Sequence, residues 1–345
     1  MLNAIIIIIF LSILILVHEL GHFLLAKRFG LFVGEFGLGL PPRAWGKKIG
    51  ETIYSINWLP FGGYVKIAGE DGEDEADVIK KVPHDRIFYN IAPWKRFCIL
   101  VGGVSMNFLL GWALLSIVFM VGIKPGVFIT QVQKEGPAAV AGIRANDRLI
   151  EFTKTEDFVS YTKAHAGEAI EVRIDRGGKE MKVQMTPRKD PPAGQGPLGV
   201  VLGESVGREK QGVVGAVKGG FVESVRIVEA TFKGLAGLVG AVFAGKGSLD
   251  SVTGPIGIVK VTVDASEAGF IYVLSLLALI SINLAAFNIL PFPALDGGRI
   301  LFLAIEKVKG SPLPKKFEQY ANGIGLLLLL GLILIVSVKD VIRFF

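Results

Sequence analysis

Four apolar runs, each long enough to cross a bilayer, constrain this chain more than any other feature. A spanning helix needs about 20 apolar residues. The first run is about Ala4 to Ala26, broken only by His18, Glu19 and His22. The second, Phe97 to Ile123, carries no charge. The third, Ala268 to Leu295, is also uncharged and holds Pro291 and Pro293 near its end. The fourth is about Ala321 to Val338. A hydrophobic fraction of 51% agrees with a membrane protein. The first run has no basic stretch before it and no A-x-A-like cleavage site, so it reads as a retained helix, not a signal peptide.

Charge assigns sides. Lys27, Arg28, Lys95 and Arg96 border the first two runs, and Arg299, Lys307, Lys309, Lys315 and Lys316 lie between the third and fourth. Under the positive-inside rule, both termini and residues near 124–268 are then outside, and residues near 28–96 inside. The net charge of +6 comes without a basic block or aromatic-basic interleaving, so nucleic acid is not an expected partner. Cys98 is the only cysteine, which excludes an internal disulfide and a cysteine metal cluster. It is expected to be buried and structural.

Between the spans the patterns change. Phe32 to Lys66 alternates glycine and aromatic residues, as short strands and turns do. Glu70 to Asp77 is an acidic run, expected as a solvated loop. GVFITQV at 126–132 and the strand patterns EAIEVRIDR and EMKVQMTPR suggest a compact domain of roughly 70 residues. Pro191 to Pro197 reads as its exit linker. Val214 to Val242 repeats apolar residues at helical spacing, and is expected as an amphipathic helix on the outer membrane surface.

The chemistry concentrates in His18-Glu19-Leu20-Gly21-His22, an H-E-x-x-H motif inside the first apolar run. Residues four apart share a helical face, so both imidazoles can reach one zinc ion. Glu19 is placed to act as the base. Charged residues inside a spanning helix cost about 2.5–3.5 kcal/mol each on insertion scales, and a merely adhesive polar cluster is cheaper with Ser, Thr or Asn. A catalytic zinc site needs a third protein ligand. His84 and His165 fall in expected loops. Asp296 is the better candidate: a helix rises about 21 Å from Ala4 to His18, and the third run descends to a similar depth before Asp296. Pro291 and Pro293 unwind the backbone there.

His18-Glu19-x-x-His22 together with N-x-x-P-x-P-x-L-D-G at 288–297 resembles the bacterial site-2 protease family, in its RseP-like branch. WLPFGGYVKIAGE at 58–70 and GPIGI at 254–258 resemble further segments of that branch, and residues about 125–188 resemble a single PDZ domain. The resemblance spans nearly the whole chain. It departs at Gly103-Val104-Ser105-Met106-Asn107, where the family often has G-P-x-x-N: the Asn is kept and the Pro is not.

The resemblance implies zinc on His18, His22 and Asp296, Glu19 as catalytic base, and Asn288 and Asn107 as substrate-binding residues. The expected fold is a polytopic α-helical membrane protein. It has about four transmembrane helices, a membrane-associated β-rich inner region and one external α+β PDZ-like domain. Residues 1–123 hold the first two spans and the inner strands, and 124–190 the PDZ-like domain. Residues 191–267 hold the linker and surface helix, and 268–345 the last two spans. Expected partners are the lipid bilayer and membrane-spanning proteins such as anti-sigma factors or remnant signal peptides, pre-trimmed by another protease. Peptide C-termini are candidates for the PDZ-like domain, with Lys124 to Ile129 as its binding edge. The expected location is a bacterial inner membrane, with the active site towards the cytoplasmic side. The alternatives are a metal permease, since intramembrane His and Asp also line ion paths, and a non-catalytic PDZ scaffold. Glu19 beside His18 favours the protease.

Overall fold

A computed structural model describes residues 2–70, 81–123, 125–192, 194–205, 207–245 and 254–344. The acidic run after Glu70 therefore lies outside the described residues, as does Lys124. Helix α1 is Leu2–Arg28, followed by strands β1 (Val33–Ile49) and β2 (Thr52–Ile67) and helix α2 (Pro93–Val121). Next come β3 (Gly126–Val132), α3 (Pro137–Val140), β4 (Arg148–Leu149), α4 (Thr155–Ala164), β5 (Ile170–Arg176), β6 (Lys179–Met185) and β7 (Val200–Ser205). The chain ends with α5 (Val213–Phe243), α6 (Pro255–Ala268), α7 (Phe270–Asn288), α8 (Asp296–Lys309) and α9 (Lys315–Phe344).

Among the described residues, four helices are long and apolar enough to cross a membrane: Ile9–Arg28 of α1, α2, α7 and Lys315–Ile342 of α9. Helix is the expected state for such runs, because only internal hydrogen bonds satisfy a backbone in lipid. The third apolar run is not one element. α7 stops at Asn288 and α8 starts at Asp296, with the two prolines in the gap.

The chain divides into two compact units. The first comprises residues 1–114, 221–260 and 277–345. Here β1 and β2 pair antiparallel, and β2 passes β1 twice: Glu35 faces both Lys66 and Ile53. Gly63 to Ile67 pair with β1 on one side only among the described residues. Val33 to Gly39 alternate buried and half-buried, and from Leu40 onward β1 is exposed. The buried half joins Phe23, Ala26, Phe88, Ile91, Ile99 and Leu100 in one core. The exposed half carries Trp45 and β2 carries Trp58, 58% and 71% exposed, as interfacial tryptophans are. Inside the sheet, Glu35 accepts from Arg43 at 2.6 and 3.0 Å, Ser55 at 2.7 Å and Tyr64 at 2.8 Å. Its charge is thereby paired and hydrogen-bonded, as burial requires.

The amphipathic helix departs from expectation. From Phe221 onward α5 packs on membrane-spanning helices instead of lying alone on a surface. Phe221 meets Trp112 and Phe108 edge-on at 5.3 and 6.0 Å, and Thr231 Oγ1 donates to Asn283 Oδ1 at 2.6 Å. Its apolar stripe faces outward, with Val225 45% and Val239 53% exposed, while Ser224 is 0% exposed. Small and polar residues make the helix contacts here, as they do at helix interfaces within membranes.

The second unit comprises residues 115–220 and 261–276. Its sheet has the order β6-β5-β4-β3-β7 around a core that includes Val127, Ile129, Leu149, Phe158, Val172 and Ile174. Asp147, 1% exposed, is held by two bonds of 2.7 Å from Arg176. Two expectations are corrected here. The stretch after residue 190 is not only linker, since Val200–Ser205 forms β7. β3 is not an edge, since β4 and β7 flank it. The pairing partner comes from far along the chain, so local pattern gave no sign of it. In the first unit, Cys98 is half-buried, not buried.

One clamp ties the end of α1 to the strands. Glu51, in the β1–β2 turn, accepts from Lys27 at 2.7 Å and from Arg86 at 2.6 Å. Hydrogen bonds from Arg86 and then Lys27 hold its carboxyl down at about 2, from an ordinary 4.5. A carboxylate depressed by folding contributes stability that is complete above its unfolded pKa and lost as pH falls through the folded one. Glu51→Gln is therefore expected to lower the Tm in detergent by about 1–3 °C at pH 7. The deficit should shrink as pH falls from about 4.5 to about 2. A deficit independent of pH would assign the loss to shape instead of charge.

Candidate metal centre

The centre is assembled within the first unit where α1 and α2 cross at glycines. A Cβ on Gly21 would sit 2.2 Å from the Gly102 carbonyl oxygen, and one on Gly102 would sit 2.8 Å from that of Gly21. Backbones can approach so closely only where side chains are missing. Gly103 faces the histidines: a Cβ there would lie 2.3 Å from His22 Nε2 and 2.7 Å from His18 Cε1.

His18 and His22 are one helical turn apart, with ring centroids 4.8 Å apart and planes at 83°. Their Nε2 atoms are 3.2 Å apart. Each Nδ1 faces α2. His22 Nδ1 lies 2.8 Å from the Ile99 carbonyl oxygen, and His18 Nδ1 lies 3.3 Å from the Asn107 side-chain amide. α7 meets α2 on another side, where Ser281 Oγ donates to the Asn107 carbonyl at 2.7 Å.

Asp296 arrives on the first residue of α8. The connection from α7 turns tightly over residues 289–295. Gly297 and Gly298 sit beneath it: added Cβ atoms would lie 2.2 Å from the Leu290 and Phe292 carbonyl oxygens respectively. Ala294 adopts φ 74°, and its N–H donates to Asn322 Oδ1 of α9 at 3.0 Å. These contacts aim Asp296 Oδ2 at the imidazoles, 3.2 Å from His18 Nε2 and 3.5 Å from His22 Nε2.

These three atoms fit zinc. A tetrahedral ion with ligand distances of about 2.0–2.1 Å needs ligand atoms about 3.3 Å apart, and the three separations here are 3.2, 3.2 and 3.5 Å. Asp296 Oδ2 is buried and accepts no hydrogen bond of good geometry, the condition of a ligand oxygen directed at a cation. Among the described residues no other group of three metal-ligating side chains converges like this.

The two expected substrate residues differ in place. Asn288 is half-buried, and its Nδ2 lies 3.5 Å from His18 Nε2, on the ligand side of that ring. Asn107 is 0% exposed and lies behind the ring. Glu19 is half-buried, and the backbone of β2 passes close to it: a Cβ on Gly63 would meet Glu19 Cγ at 3.7 Å. Two features were missed from sequence, the contact of Gly103 with the rings and the ion pairs that hold α8. Arg299 pairs with Glu70 at 2.5 Å and Arg96 with Glu306 at 2.8 Å. They border a cavity of about 660 Å³, also lined by Lys315 and Asn322. The glycine pair at 102–103 in an uncharged run was a usable signal of a close helix crossing.

Gly103→Ala is expected to displace the imidazoles and lower bound zinc at least tenfold, read by metal analysis of the purified protein. Gly331→Ala, where an added Cβ meets nothing within 4 Å, should leave zinc unchanged. Equal zinc in both variants would contradict the steric account.

Comparison with known proteins covers nearly the whole chain. The model of peptidase family M50 matches residues 6–332. Zinc metalloprotease RasP of Geobacillus kaustophilus is 32% identical over 96% of both chains. A putative zinc metalloprotease of Nostoc sp. is 35% identical over 96% of this chain and 93% of its own. The regulator of sigma-W protease RasP of Bacillus subtilis is 29% identical over 96% of both. The chain therefore belongs to peptidase family M50 and is a membrane-embedded zinc metalloprotease of the site-2 type.

Proposed function

We propose that His18, His22 and Asp296 hold the zinc ion and that Glu19 is the catalytic base. The separations of 3.2 to 3.5 Å among three ligand atoms carry this reading. A bound zinc ion supplies a Lewis acid and lowers the pKa of water. Glu19 takes the proton of the attacking water and passes it to the departing amide nitrogen. Asn288, beside His18 on the ligand side, holds the substrate backbone next to the bond that is cut.

The substrate is a transmembrane segment of another protein. A helical peptide bond is shielded, so the segment must unwind, and extended chain then pairs with a sheet edge. Gly63 to Ile67 is that edge, because it is paired on one side and runs past Glu19. Substrates include anti-sigma-factor-like proteins, in keeping with the name of the Bacillus subtilis relative, and remnant signal peptides. Another protease trims them first. The cationic flanks of the spans support both termini outside and the active site towards the cytoplasm.

The second unit acts as a PDZ-like domain, with β7 as the edge offered to peptide C-termini. β7 ends the sheet order, and its Glu204 accepts from Thr155 N–H of α4 at 3.0 Å, so the strand edge lies beside the start of that helix. In this reading the binding edge moves from β3 to β7.

The test is cleavage of a single-pass substrate by the purified protein in detergent. Glu19→Gln is expected to retain zinc and lose about 10²–10⁴-fold in rate. A zinc chelator should abolish cleavage by the parent. Equal cleavage by both proteins would overturn the base assignment. Replacing Gly, Pro or Asn near the cut site of the substrate by Leu should slow cleavage, and an unchanged rate would remove the unwinding requirement.

A further inference from the structure

Two imidazoles in the centre are backed from the same helix. α1 and α2 run antiparallel, so Ile99 lies level with His22 and Asn107 level with His18, with Gly103 between them. The partner of His22 is unambiguous: a backbone carbonyl can only accept, so Nδ1 of His22 carries a proton and Nε2 is free to ligate. The partner of His18 is an amide, which can present either end.

We propose that Asn107 is a positioning residue for the metal centre, its side-chain oxygen accepting the Nδ1 proton of His18 so that Nε2 faces the ion. The inference rests on His18 being a ligand through Nε2, the atom 3.2 Å from both His22 Nε2 and Asp296 Oδ2. An NH₂ group towards Nδ1 would select the opposite tautomer, whose Nε2 is protonated and takes no metal. Only the oxygen-inward orientation is compatible with ligation. Asn107 Oδ1 is buried and has no hydrogen-bond partner, so turning it inward gives it one, in exchange for the 3.3 Å approach of Nδ2 to the ring. The backbone beside it is pinned by the 2.7 Å bond from Ser281 on α7. Asn107 is 0% exposed, which leaves no surface for a substrate to touch. This replaces the substrate-binding role expected from sequence. Ligating histidines are commonly fixed by an acceptor on the other ring nitrogen, and losing it costs about 10–100-fold in metal affinity.

The experiment measures zinc affinity of the full-length protein in detergent by competition with a chromophoric chelator. It compares the parent with Asn107→Leu, Asn107→Asp and His18→Ala. Asn107→Leu should weaken zinc about 10–100-fold. Asn107→Asp, which keeps an acceptor, should stay within a few-fold of the parent. His18→Ala should lose stoichiometric zinc. If His18→Ala loses zinc and Asn107→Leu binds it as the parent does, the proposal is wrong and the ligand assignment stands. If His18→Ala keeps its zinc, the ligand assignment itself is wrong. A raised KM for Asn107→Leu at unchanged zinc affinity would return Asn107 to the substrate. Should Asn107→Leu not melt cooperatively, Asn107→Ala carries the same expectation.

Discussion

The backbone contact between α1 and α2 at Gly21, Gly102 and Gly103 underlies the rest of the first unit. Helices in lipid gain no hydrophobic energy by meeting, so close packing and hydrogen bonds must hold them. Here the packing is backbone on backbone, and it brings the Ile99 carbonyl and the Asn107 amide within reach of two imidazoles. Without that approach the histidines would be two polar side chains in an apolar medium. With it they are oriented as a pair, which in the proposed reading lowers the reorganisation cost of binding the ion.

Asp296 depends on a different device. A carboxylate on the first residue of a helix is positioned by whatever positions that helix. α8 is held at its start by the folded connection over Gly297 and Gly298, and along its length by Arg299–Glu70 and Arg96–Glu306. Glu70 lies just past β2, so the same strand that passes Glu19 is followed by the anchor of α8. Glu19, Asp296 and the strand edge share one framework.

Much of this was legible in the sequence, for identifiable reasons. Spanning helices announce themselves by length and composition, because lipid leaves the backbone no alternative. The H-E-x-x-H spacing is a helical period, and Pro291 with Pro293 marks where α7 must end. Contacts between distant segments were not legible. β7 joins β3 across about 70 residues, and short strands do not specify a partner. The sequence reading of α5 did not include the helices it packs on, and Ser224 and Thr231 were the residues that could have indicated them. The position of Asn107 behind the His18 ring was not legible either, because a motif records residue identity, not which side of a ring the residue occupies.

The glycine crossing also limits how this chain can vary over generations. Every single-base change that replaces glycine adds at least a Cβ. At Gly331 that atom enters open space, and at Gly103 it enters an imidazole. The first position can drift through many residues one base at a time. The second has no neighbouring codon that spares the histidines, so its variation requires compensating change on α1 in the same lineage.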